Sequence, residues 1–132
     1  MKKIILSILL ITSSLFSNEL GWISDYDKAI KSAKEQNKNV YIFIAADKCH
    51  FCKKFKSTTL SRKCVKARLK SDFIPVYLSR DQHFIPDRFE KFGAPRHYFL
   101  NPEGKIIFHT AGAYGPDSFM EILDDIELHM DD

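Results

Sequence analysis

Cys49 and Cys52 stand two residues apart, with His50 and Phe51 between them. Two thiols at this spacing, set in the first turn of a helix, can cycle between a dithiol and a disulfide. The helix start favours the thiolate of the first cysteine, and Lys48 and His50 add positive charge beside it. A more stable thiolate makes the corresponding disulfide more oxidising. Zinc sites share the spacing, but zinc needs two further ligands. The chain has neither a second Cys-x-x-Cys nor a pair of histidines at ligand spacing. Haem attachment requires a histidine after the second cysteine, where Lys53 stands. A permanent disulfide stays open, as does a Cu(I) site in which His50 or His97 assists the two thiolates. Cys64 is left over, either as a partly buried small hydrophobe or as a third redox thiol. His83, His109 and His129 show no ligand spacing.

The elements that must position the pair can be read from periodicity. Val40–Ala45 contains no polar side chain other than the Tyr41 hydroxyl and predicts a central strand buried on both faces, running directly towards Cys49. Cys49 to about Thr58 predicts a helix, and Ser61 is placed to cap another that carries Val65 and Leu69. Before the strand, Ser24 is the expected N-cap of an amphipathic helix marked by Tyr26, Ala29, Ile30 and Ala33, ending near 37–39. Phe73–Leu78 predicts a second strand, parallel to the first, with Pro75 at its start or at an irregularity. A loop and short helix are expected over 81–92, with Pro86 in the helix's first turn. His97–Leu100 and Lys105–His109 predict a hairpin through the turn 101–104. Phe119, Ile122, Leu123, Ile126 and Met130 mark the buried stripe of a last helix opened by Pro116. This order predicts an α/β fold with a central mixed sheet and helices on both faces.

Lys2 and Lys3, the apolar stretch Ile4–Phe16 and the return to polar residues at Asn18 form the pattern of a secretory signal. Residues 1–17 are therefore expected to be removed, leaving one domain over 18–132, and the stretch is short for a transmembrane helix. Without Lys2 and Lys3 the chain keeps 18 basic against 17 acidic side chains, a net charge of about +1. That balance argues against nucleic acid or anionic lipid as a partner. The seventeen aromatic residues suffice for a filled core, so cysteines are not needed as staples. A periplasmic monomer is expected.

An apolar strand entering Cys-x-x-C, a second parallel strand, then Gly93-Ala94-Pro95-Arg96, the strand-turn-strand 98–105 and a final helix together resemble the thioredoxin superfamily. The likeness extends over the whole mature length and implies a three-layer sandwich. The Trp22-plus-helix opening and the Cys-His-aromatic-Cys motif are more similar to exported thioredoxin-like oxidoreductases than to cytosolic thioredoxin. The resemblance implies that Cys49 is the nucleophile, Cys52 the resolving thiol and His50 a tuner. It also implies that Pro95 is cis, so that the backbone of Ala94 pairs with an extended substrate peptide. Expected partners are protein thiols or disulfides and a redox partner protein; no bound cofactor or metal is implied. The alternative from another class is a copper-binding or chaperone-like module in metalloenzyme assembly. Arg96 and His97 are expected at the surface or an edge, on opposite faces of their strand. Three positions depart from the family pattern. Lys48 replaces a frequent tryptophan, Phe43 a buried aspartate and Tyr77 the lysine that accompanies it, so proton handling at Cys52 must differ. The compact size resembles reducing members, whereas Lys48 and His50 favour an oxidising site; both directions of electron flow stay open.

Overall fold

The computed structural model describes residues 20–129, so the segment expected to be a signal, and Met130, lie outside the described residues. Among the described residues no helix is long and apolar enough to cross a membrane. The elements in order are α1 (Tyr26–Gln36), β1 (Asn39–Ala45), α2 (His50–Phe55), a π-helical turn (Lys56–Leu60), α3 (Lys63–Asp72), β2 (Phe73–Ser79), β3 (Arg96–Leu100), β4 (Ile106–Ala111) and α4 (Pro116–Leu128).

The sheet runs β2-β1-β3-β4, with β1 and β2 parallel and both other pairings antiparallel. Strand β1 is buried along its full length, as its continuous apolar run predicts. Alternation explains why both faces must be apolar. Tyr41, Phe43 and Ala45 join a core with Cys52, Phe55, Leu69, Phe99, Phe119 and Leu123, beneath α2, α3 and α4. Val40, Ile42 and Ile44 join a second core with Ala29 and Ala33 of α1 and Ile85 and Phe89 of the connection after β2. The expected three-layer sandwich is therefore present. Pro75 sits inside β2 and its lost donor does no harm. The Tyr77 N–H on the same edge reaches outward to the Ile23 carbonyl at 2.9 Å, so the proline ring faces away from β1.

Several local expectations change. Asp25, not Ser24, caps α1, its carboxylate accepting the Lys28 N–H at 3.2 Å. Asn37 ends that helix in the left-handed conformation, φ 51°. Ser61 does not cap α3; its hydroxyl donates back to the Ser57 carbonyl at 2.5 Å. Thr58 likewise donates to the Lys54 carbonyl at 2.7 Å, and such competition for main-chain acceptors accompanies the widening of α2 into a π turn. Residues 81–92 form no helix, only a turn in which the Ser79 carbonyl accepts the His83 N–H at 2.8 Å and another closed by Phe89 N–H to the Pro86 carbonyl at 3.0 Å. Ile85 and Phe89 are buried at helical spacing, but the Glu90 N–H is taken by the Tyr98 hydroxyl at 2.8 Å. A tertiary partner has replaced the helical one.

Candidate active site

The carboxyl end of β1 delivers the chain to Cys49 through three residues, and two polar anchors hold this short connection. The buried Ser79 hydroxyl donates to Asp47 Oδ1 at 2.8 Å, and Gln82 Nε2 donates to the same oxygen at 2.6 Å. The Asp47 N–H in turn donates to Asp81 Oδ2 at 2.7 Å. The loop before the cysteines is thus fastened to the end of β2. Ser79→Ala removes one of the two donors to Asp47 Oδ1, and because that carboxylate is exposed and keeps Gln82 the expected cost is about 1 kcal/mol. Urea denaturation checks this; an unchanged midpoint would remove the anchor from the account.

Cys49 is the N-cap of α2, and its sulfur accepts the Cys52 N–H at 3.1 Å. The two cysteines form a disulfide with their Cα atoms 5.2 Å apart. Their exposures differ in the way exchange requires: Cys49 is half-buried, whereas Cys52 is only 2% exposed. An incoming thiol or disulfide can reach the first sulfur and not the second. His50 and Lys48 are exposed beside the pair, with the His50 imidazole edge-on to Phe51 at 5.6 Å between centroids. Phe51 is itself 58% exposed.

The Ala94–Pro95 peptide is cis, as the resemblance implies. Pro95 is buried and Ala94 half-buried, and Ala94 packs on the same core as Cys49 and Cys52. The fold has brought together the two segments singled out in the sequence, forty residues apart in chain order. Arg96 reinforces the outer side of this loop. Its guanidinium Nε donates to the Phe92 carbonyl, and its tip would lie 3.2 Å from a Cβ at residue 93, where φ of +74° also calls for glycine.

Beneath the cysteines lies an aromatic box in place of the family's buried acid. Phe43 is fully buried against Phe55, Tyr77 and Trp22, at centroid distances of 5.4, 5.6 and 6.5 Å. Lys56, one turn beyond Cys52 at the start of the π-helical turn, extends over Tyr77 at 4.6 Å and donates to its hydroxyl at 3.2 Å. A cation therefore does stand near Tyr77, supplied by the helix and not by the strand. The i, i+4 spacing from Cys52 to Lys56 was the available signal.

His97 is neither at the surface nor at an edge. It is fully buried, because β4 covers the outer edge of β3 and α2 and α4 cover its face. The imidazole stacks beside Phe43 and Tyr41, each 5.9 Å away, and meets Phe55 edge-on at 4.8 Å. Nε2 lies 2.8 Å from the Gly112 carbonyl, an acceptor only, so Nε2 carries the proton. Nδ1 then accepts from the Tyr41 hydroxyl at 2.7 Å. Burial pushes the His97 pKa down to about 4, against a smaller upward pull from the Gly112 carbonyl, and the ring is neutral at physiological pH. With both nitrogens engaged, His97 has no lone pair for copper. Among the described residues no three His, Cys, Asp or Glu side chains are grouped to hold a metal ion. Cys64 is exposed on α3 with its thiol free, and is not a partly buried small hydrophobe.

A family model described as a thioredoxin-like domain matches residues 26–127. An uncharacterized protein of Archaeoglobus fulgidus is 31% identical over 87 residues, covering 64% of this chain and 68% of that protein. Among solved structures, a thioredoxin from Thermus thermophilus superposes with a TM-score of 0.68 at 20% identity, covering 82% of this chain and 87% of that one. The oxidised C-terminal domain of DsbD from Neisseria meningitidis gives 0.65 at 18% identity, covering 79% and 97%. At such identities the structural likeness establishes the fold. The sulfur pair at the start of α2 supplies thiol–disulfide oxidoreductase chemistry. With the family match spanning most of its length, the chain belongs to the thioredoxin-like domain family.

Proposed function

We propose that this is an exported, periplasmic thiol–disulfide oxidoreductase acting as a monomer on protein substrates. The observation that carries it is the unequal access of the two sulfurs beside a cis-proline edge. In the reducing direction the Cys49 thiolate attacks one sulfur of a substrate disulfide and expels the other as a thiolate, which takes a proton from solvent. Cys52 then attacks the Cys49 sulfur, closes the disulfide and releases the second substrate thiol. Two electrons pass from the protein to the substrate, and a dithiol partner restores them. The oxidising direction is the same sequence reversed. Ala94 offers its backbone to the extended substrate, and the helix start with Lys48 and His50 stabilises the leaving or attacking Cys49 thiolate. The basic and apolar pattern of residues 1–17 supports export.

Expressed from the full chain, Cys52→Ser retains the attacking thiol and loses the resolving one. It is expected to accumulate mixed disulfides with exported proteins, recovered on a non-reducing gel and lost with dithiothreitol. The same preparation, sequenced from its N-terminus, should begin at Asn18. Adducts absent from Cys52→Ser would sink the exchange reaction, and an uncleaved cytosolic product would sink export. For the tuned nucleophile, thiolate absorbance at 240 nm should place the Cys49 pKa below about 8, under the ~8.5 of a free cysteine.

A further inference from the structure

His97 is a buried titratable group that the exchange chemistry does not use. The Pro95 carbonyl accepts the Gly112 N–H at 2.9 Å, which carries the β3–β4 ladder one residue into the cis-proline segment. Gly112, at φ +128°, turns its own carbonyl to His97 Nε2 at 2.8 Å. Tyr41 of the central strand completes the line, its hydroxyl held to Nδ1 at 2.7 Å. An unbroken chain of three hydrogen bonds thus runs from the most buried strand to the backbone beside Ala94. Its middle member is a rigid ring wedged between Phe55 and the two aromatic rings of β1. An apolar residue at position 97 would fill the same space and leave the Gly112 carbonyl without its donor.

We propose that His97 is a positioning residue for substrate binding: through Gly112 it sets the height of the Ala94–Pro95 edge over Cys49. This rests on the reading of that edge as the place where substrate backbone pairs. Gly112 is held from below by the ring and from the side by the Pro95 carbonyl, so the edge is in place before a peptide arrives. Arg96, pointing the opposite way, braces the outer side of the same loop through the Phe92 carbonyl. Two adjacent residues of β3 thereby fix one loop from both faces. The effect concerns extended peptides; a small dithiol, which needs only the Cys49 sulfur, is indifferent to it.

The test compares wild type, His97→Leu, His97→Gln and Tyr41→Phe in insulin reduction driven by dithiothreitol. The rate of direct reduction of the Cys49–Cys52 disulfide by dithiothreitol is measured alongside. In His97→Leu, KM for insulin should rise about fivefold, the equivalent of one lost hydrogen bond, with the direct rate and the glutathione equilibrium within twofold of wild type. His97→Gln keeps an amide donor for Gly112 and should recover most of the loss. Tyr41→Phe keeps the ring and should shift KM the same way by less. Hydrogen exchange at the Gly112 amide, which donates to the Pro95 carbonyl, reads the neighbouring bond of the same chain without substrate and should be about tenfold faster in His97→Leu than in wild type. An unchanged KM, an equal fall in insulin and direct rates, or unaltered Gly112 exchange would each overturn the positioning role. Should wild type itself fail to reduce insulin, the exchange function falls, and Gly112 exchange still decides whether His97 holds the edge.

Discussion

Cys49→Ser is expected to lower insulin-disulfide exchange by on the order of 10³-fold or more, to the uncatalysed background. Removing a nucleophile forfeits the covalent route, and the remaining residues contribute little alone. Serine keeps the size and the N-cap acceptor of Cys49, so α2 should still start at residue 50 and the fold should survive. The loss is then chemical. Cys64→Ser is the matched control. Its thiol is exposed on α3 and in neither core, so exchange should stay within twofold of wild type. The measurement is the initial rate of insulin turbidity with dithiothreitol as donor. More than a tenth of the activity left in Cys49→Ser would move the nucleophile elsewhere, and Cys64 would be the first place to look.

The second large effect is a loss of about 3 kcal/mol of folding stability between pH 6.5 and pH 4, arising at His97. In the folded chain burial holds this ring neutral down to about pH 4, while in the unfolded chain it takes a proton near 6.5. Between those values the unfolded state carries more protons, so stability falls as pH falls; it is complete above 6.5 and flat again below 4. About 2 kcal/mol should be gone by pH 5. The titratable groups packed against the ring are Tyr41 from β1 and Tyr114 from the segment before α4. Burial raises the Tyr41 pKa well above its ordinary value, so it stays neutral throughout this window. Glu90, held low chiefly by the Phe92 N–H, begins to lose its contribution as pH falls past the ordinary value of 4.5, at the acid end of this window, and that loss is common to wild type and His97→Leu. Urea titrations of wild type and His97→Leu at pH 7.5 and pH 5 isolate the term. Parallel pH dependences in the two proteins would show that the ring does not carry it.

That His97 is buried and bonded through Gly112 to the cis-proline segment was not legible in the sequence. Strand alternation placed Arg96 and His97 on opposite faces correctly, because it depends only on the two-residue period of a strand. Whether either face is covered depends on what packs there. A hairpin ahead of a final helix suggests an outer position for its first strand. In the sheet order β2-β1-β3-β4, however, β3 is internal, and α2 and α4 close over His97. The missing helix at 81–92 has the same origin. Pro86 was read as the first turn of a short helix, but Ile85 and Phe89 are buried without one, and the hydroxyl of Tyr98 on β3 takes the Glu90 N–H. Asp25 in place of Ser24 as the α1 cap is a smaller displacement of the kind that adjacent capping residues allow.

What the sequence determined by itself was local. It placed a doubly buried strand before Cys49 and the two sulfurs within one helical turn. It also placed a turn at 101–104, where the Asn101 side chain accepts the Glu103 and Lys105 N–H groups. Each of these needs only the chemistry of a few neighbouring residues. The tertiary structure alone decided which sulfur is reachable and that Lys56 would stand over Tyr77. It likewise decided that Ser79 would anchor Asp47 and that a histidine would link the central strand to the cis-proline edge. Those contacts join residues far apart in the chain. Burial and hydrogen-bond partners at such positions are set by the packing of layers, which periodicity in one segment does not contain.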